Sequence, residues 1–82
     1  MNATRRERDL SHLRPGQSAR VVAVVGEDGP SQRLRDLGFW PGVEIEVILR
    51  APFGDPTVYR LQGYRIALRR DEAARVEVEG VR

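Results

Sequence analysis

The sequence predicts a small, mainly β domain: a barrel of five short strands, with one short helix after the first strand and a helical turn before the last. Three observations predict it. Aliphatic and tyrosine residues alternate with charged ones in several short runs, the period-two signature of half-buried strands. Glycine and proline recur between those runs at the spacing of a small all-β fold. The length of 82 residues suits one domain, which at this size buries only about 60% of the surface its unfolded chain exposes.

The elements follow in order. Residues 1–9 are polar and charged and read as a mobile tail, with the folded domain expected over residues 10–80. Leu10 and Leu13 supply two apolar anchors, and Pro15-Gly16 reads as a turn. Residues 20–25 are β-branched and nearly all apolar, which predicts a strand buried on both faces. Residues 26–30 break it. Ser31 is placed to cap a helix of about two turns whose Leu34 and Leu37 share one face, and Gly38 falls where a helix end favours positive φ. Such a helix is too short to persist without packing on the sheet.

In residues 43–50, Val43, Ile45, Val47 and Leu49 are expected to point inward, with Glu44, Glu46, Ile48 and Arg50 outward. Residues 51–56 carry the turn formers Pro52, Gly54, Asp55 and Pro56. Residues 57–62 and 64–69 read as two strands joined at Gln62-Gly63, with Tyr59, Leu61, Tyr64, Ile66 and Leu68 inward. Asp71 is placed to cap a single turn through Ala74, and Val76 and Val78 alternate with charges in a last strand.

The hairpin sets a register. A loop at Gln62-Gly63 places Leu61 opposite Tyr64, Tyr59 opposite Ile66 and Arg60 opposite Arg65. Matching the inward faces then places Val47 opposite Tyr59 and Glu46 opposite Arg60. The expected outer face carries a Glu46, Arg60, Arg65 row, in which the carboxylate offsets the like-charge pair.

Composition narrows the function classes. The formal charge is +2, from 14 basic and 12 acidic residues, and every basic residue is arginine. That near balance does not mark a generic nucleic-acid binder, although the pI of about 9.9 points the other way. With no cysteine, disulfides, zinc ribbons, iron–sulfur clusters and thiol catalysis are excluded. The apolar runs fall far short of the ~20 residues of a membrane span, and residues 1–9 lack the apolar core of a secretory signal. A cytoplasmic protein is expected, reaching a membrane only through a partner.

Catalytic groupings are weak. The lone imidazole, His12, adjoins Ser11 without the spatial triad that nucleophilic catalysis needs. The carboxylate pairs Glu44/Glu46 and Glu77/Glu79 alternate on strands and face water, and Asp71/Glu72 sits at a turn. No phosphate-binding or dinucleotide glycine motif is present. No enzyme activity and no cofactor are expected. Carboxylates such as Glu27, Asp28 or Asp55 would make only a hard, oxygen-rich metal site, and no metal site is assigned. The aromatic residues carry more. Trp40 follows a predicted helix end beside Phe39, and Phe53 tops a loop between prolines; large aromatics on the loops of a small barrel suit partner contacts.

An ordered series of residues also resembles a known family. Leu10-x-x-Leu13-x-Pro15-Gly16, Arg33-Leu34-x-x-Leu37-Gly38-Phe39-x-Pro41-Gly42, Ala51-Pro52-x-Gly54-Asp55-Pro56 and Ile66-Ala67-Leu68-Arg69-x-x-Glu72-Ala73 together resemble the FeoA family. The resemblance spans about residues 10–79 and implies an SH3-like barrel. It further implies a cytoplasmic accessory protein of bacterial ferrous-iron uptake, which acts by docking onto the FeoB membrane GTPase permease. The same domain is found at the C-terminus of metal-dependent repressors, whose helix-turn-helix part 82 residues cannot accommodate. On this basis the expected docking surface is Trp40, Phe53 and Asp55, with Arg60 and Arg65 as rim charges. The open strand edges of such a barrel permit a homo-oligomer. The alternative is a nucleic-acid-binding barrel, which needs exposed aromatics interleaved with basic residues. Inward Tyr59 and Tyr64, and Glu46 within the basic face, argue against it.

Overall fold

The computed structural model describes residues 8–82. It contains one six-stranded antiparallel sheet in the order β1-β6-β2-β3-β4-β5. The strands are β1 (Arg8–Asp9), β2 (Ser18–Val24), β3 (Glu44–Arg50), β4 (Thr57–Leu61), β5 (Tyr64–Leu68) and β6 (Val76–Glu79). Helix α1 (Gly29–Asp36) follows β2, and the short α2 (Arg70–Ala73) precedes β6. A 3-10 turn over Leu10–His12 links β1 to the domain. The inward residues of β2 to β6 fall in a single buried cluster, so the sheet curls around one core, and Leu34 and Phe39 close it.

The expected register holds at each pair. Leu61 lies opposite Tyr64, Tyr59 opposite Ile66 and Arg60 opposite Arg65, while Glu46 faces Arg60 and Val47 faces Tyr59. Gln62 (φ 49) and Gly63 (φ 84) form the two-residue turn. Both central residues are left-handed, as a type I′ hairpin turn requires.

Several local expectations give way. Arg8 and Asp9, placed with the tail from sequence, pair with Val78 and Glu77 and form a sixth strand. The rest of the expected tail, residues 1–7, lies outside the described residues. The first long strand is not buried on both faces: Ala19, Val21 and Val24 are buried, Arg20 is exposed, and Val22 is an extra residue at a bulge against β6. A second bulge lies between Val47 and Leu49. The inserted Ile48 inverts the alternation, so Leu49 is 48% exposed and Arg50 turns to the side of buried Thr57. Tyr64, expected inward, is 39% exposed beside the hairpin turn.

The helix starts also differ. Asp28, not Ser31, caps α1: its Oδ1 accepts from the Ser31 N–H at 3.2 Å. Ser31 is buried, and its hydroxyl donates to the Val25 carbonyl at 2.7 Å. Asp71 lies inside α2, and it is Glu72 that reaches back to accept from the Arg69 N–H at 2.9 Å. Gly38 does take positive φ, 107°, just past α1.

Candidate functional site

The 51–56 loop forms one end of the barrel. Backbone bonds close it, from Gly54 N to Ala51 O (2.7 Å) and from Ala51 N to Pro56 O (3.0 Å). Gly54 has φ 90°, and the Asp55–Pro56 peptide is cis. At the tip Phe53 is 98% exposed. Asp55, two residues on, is half-buried and has a task of its own. Its Oδ1 accepts from the Arg70 N–H at 2.9 Å, and its Oδ2 lies 3.9 Å from Arg69 Nη1. A helix cannot satisfy its first N–H groups internally, so Asp55 pins the loop to the start of α2.

Beside this loop lies a shallow depression of about 10 Å³, lined by Ser11, Arg50, Gly54, Thr57, Tyr59 and Arg70, which is room for about one water-sized group. Arg50 Nε donates to Thr57 Oγ1 at 3.1 Å, and its Nη2 donates to the Leu13 carbonyl. Burial raises the pKa of the Tyr59 phenol above its ordinary value. The basic pair Arg50 and Arg70 was missed from sequence. Unbroken alternation assigns Arg50 to the outer face, and only the bulge at Ile48 brings it here.

Trp40 sits elsewhere. It is 51% exposed, and its Nε1 donates to the Arg35 carbonyl at 2.7 Å. The Tyr64 hydroxyl donates to the Leu37 carbonyl. Both aromatics therefore satisfy carbonyls at the C-terminal end of α1. Trp40 and Tyr64 thus mark the hairpin end of β4 and β5, while Phe53 and Asp55 belong to the opposite end. Along β5 these ends are about 14 Å apart, at ~3.4 Å per residue. Trp40 and Phe53 are not neighbours.

Arg60 and Arg65 stand side by side on the outer face between these ends. Arg60 Nη1 lies 3.4 Å from Glu46 Oε1, with both side chains 46% exposed. Among the described residues no carboxylate pairs with Arg65.

Other titratable groups are engaged in holding the fold. Arg75 Nη1 donates to both oxygens of Asp28, at 2.7 and 2.8 Å, and to Ser31 Oγ at 3.0 Å. The Arg75 and Ser31 hydrogen bonds lower the Asp28 pKa from 3.8 to about 2. Asp28 in turn raises that of Arg75. Arg33 Nη1 meets Glu72 Oε2 at 2.8 Å, and Arg82 pairs with Glu44. His12 Nδ1 lies 3.4 Å from Asp9 Oδ1, and among the described residues no three His, Cys, Asp or Glu side chains converge. One imidazole with one carboxylate does not match the donor set a transition metal prefers. Among the described residues no helix is long and apolar enough to cross a membrane.

Comparison with known proteins adds a family. The FeoA domain model matches residues 8–80. A Porphyromonas gingivalis (strain ATCC BAA-308 / W83) protein, a fusion of Fe(2+) transport protein A with Fe(2+) transporter FeoB, is 41% identical over 70 residues. That match covers 85% of this chain and 8% of the fusion protein, so this chain spans a small part of that relative. The solution structure of a FeoA-like protein from Clostridium acetobutylicum superposes with a TM-score of 0.83 at 33% identity, covering 88% of this chain and 84% of that one. The zinc complex of Stenotrophomonas maltophilia FeoA, described as a prokaryotic SH3 domain protein, gives 0.78 at 37% identity, covering 87% and 88%. The SH3-like class expected from sequence is therefore the class of this fold.

Proposed function

The chain belongs to the FeoA domain family, and from that premise we propose that it is a cytoplasmic accessory protein of ferrous-iron uptake that docks onto a FeoB-like membrane GTPase permease. The observation that carries the docking reading is Phe53, 98% exposed at the tip of a loop that Asp55 pins in place. Burying a phenylalanine is worth roughly 1.5–3 kcal/mol, so a side chain held wholly in water has much to gain from a partner pocket. The fused Porphyromonas gingivalis relative supports the choice of partner, because there the two proteins occupy one chain. Phe53 anchors the contact, Asp55 holds the loop that presents it, and Arg60 and Arg65 supply charge on the adjoining sheet face. Trp40 at the far end serves a second contact area. Docking acts by stabilising one conformation of the partner, to the extent that the affinities for its states differ.

The test is capture of the permease from detergent-solubilised membranes with this chain as bait. Phe53→Ala is expected to reduce capture about tenfold or more, as loss of an interface hot spot does. Its folding stability is expected to stay within about 0.5 kcal/mol of the parent, because the side chain packs on nothing. Equal capture by both proteins would defeat the reading.

A further inference from the structure

Among the described residues the sheet has two edges, the two-residue β1 and the five-residue β5. β2, β3 and β4 each pair on both sides, whereas among the described residues β5 pairs with β4 alone. The hairpin turn decides which backbone groups of β5 remain open. In a two-residue turn the N–H of the fourth residue bonds back to the carbonyl of the first, here Tyr64 to Leu61. Antiparallel partners alternate between bonded and non-bonded pairs. Tyr64, Ile66 and Leu68 therefore turn their N–H and C=O groups toward β4, and Arg65 and Ala67 turn theirs to the open edge. Both residues are exposed. The edge ends at Arg69, whose N–H is already taken by Glu72.

The side chains specify what can pair there. Across the outer face the register runs Glu46, Arg60, Arg65. One more strand would set a residue directly opposite Arg65, where a like charge is destabilising and an opposite charge favourable. A carboxylate there would give Arg65 the partner that it lacks among the described residues. The neighbours of that carboxylate would fall on the other face, against half-buried Ile66 and partly exposed Tyr64, where apolar groups fit.

We infer that the β5 edge receives an extended antiparallel segment of a protein partner that reads apolar–acidic–apolar, by strand addition opposite Arg65. This names the chemistry of a docked segment and so rests on the docking reading above. A second copy of β5 is the wrong occupant. Pairing through the outward groups sets Arg65 against Arg65, Ala67 or Arg69, and none of these supplies a carboxylate.

The test uses the ¹⁵N-labelled full chain and two blocked peptides, Ser-Thr-Val-Glu-Val-Thr-Ser and the same peptide with Lys for Glu. In the free protein the Arg65 and Ala67 amides should exchange quickly, while those of Tyr64, Ile66 and Leu68 are protected. The Glu peptide should shift and protect Arg65 and Ala67, and bind roughly fivefold more tightly than the Lys peptide, the upper range of one cross-strand charge pair. Arg65→Glu should reverse that preference, and Phe53→Ala should leave it unchanged. Any of four results overturns the inference: no shift with either peptide, shifts centred on Phe53 and Arg70, a preference that ignores Arg65→Glu, or protection of Arg65 and Ala67 that grows with protein concentration alone. Loss of permease capture with peptide binding intact would count against the choice of permease and leave the edge standing. Capture without peptide binding would do the reverse.

Discussion

At the scale of single residues, the clearest coupling is between Asp28 and Arg75. They are 47 positions apart in sequence, yet Arg75 Nη1 bonds both carboxylate oxygens. The carboxyl that caps α1 is thereby held at a pKa of about 2, below its ordinary value of 3.8. A carboxyl whose folded pKa is depressed stabilises the fold above its unfolded pKa, and that contribution is lost as pH falls toward the folded pKa. Arg75→Gln is therefore expected to lower the urea midpoint at pH 6, with the gap to the parent shrinking from about pH 4 downward and closing near pH 2. A gap constant over that range would mean that Asp28 does not carry the coupling. Asp55 shows the same economy on a smaller scale: chosen from sequence as a docking residue, it also satisfies the first N–H of α2.

At the scale of elements, the end of α1 illustrates how little slack the small fold has. Gly38 lies just beyond the helix with φ 107°, and a Cβ there would come within 3.2 Å of Gln62 Oε1 in the β4–β5 turn. An L side chain at such a φ is strained by about 1–3 kcal/mol. Gly38→Ala is expected to lose about that much in chemical denaturation, because the backbone strain remains even when the flexible Gln62 moves aside. The bulges act on this scale too. One extra residue at Ile48 turns Leu49 outward and Arg50 inward, so a single insertion rebuilds the barrel end on which Phe53 stands. The hairpin and its register were legible in the sequence because they are local: a turn dipeptide and strict alternation decide them. The bulges were not, since Val47-Ile48-Leu49-Arg50 reads the same with or without an inserted residue.

At the scale of the whole molecule, 82 residues imply a total stability of about 4–12 kcal/mol. One core cluster draws on every long strand, on α1 and on the 3-10 turn. Leu10 is fully buried although it lies near the start of the described chain, and the Tyr59 hydroxyl donates to its carbonyl at 3.5 Å. Leu10→Ala is expected to cost about 2–5 kcal/mol, a large share of the total, and to lower the thermal midpoint accordingly. A loss under about 1 kcal/mol, the range of a surface change, would show the segment to be peripheral.

The sequence by itself determined the class of the fold, the hairpin, the pairing of Glu46 with Arg60 and of Arg60 with Arg65, and the FeoA resemblance. All of these follow from short-range periodicity or from turn residues whose backbone demands are local. Only the tertiary structure decided that Asp28 meets the Arg75 guanidinium, that Asp55 meets the Arg70 N–H and lies beside the Arg69 guanidinium, and that Trp40 and Phe53 stand at opposite ends of a hairpin. Such contacts join residues far apart in the chain. They depend on where the curled sheet brings its loops, which no local pattern records.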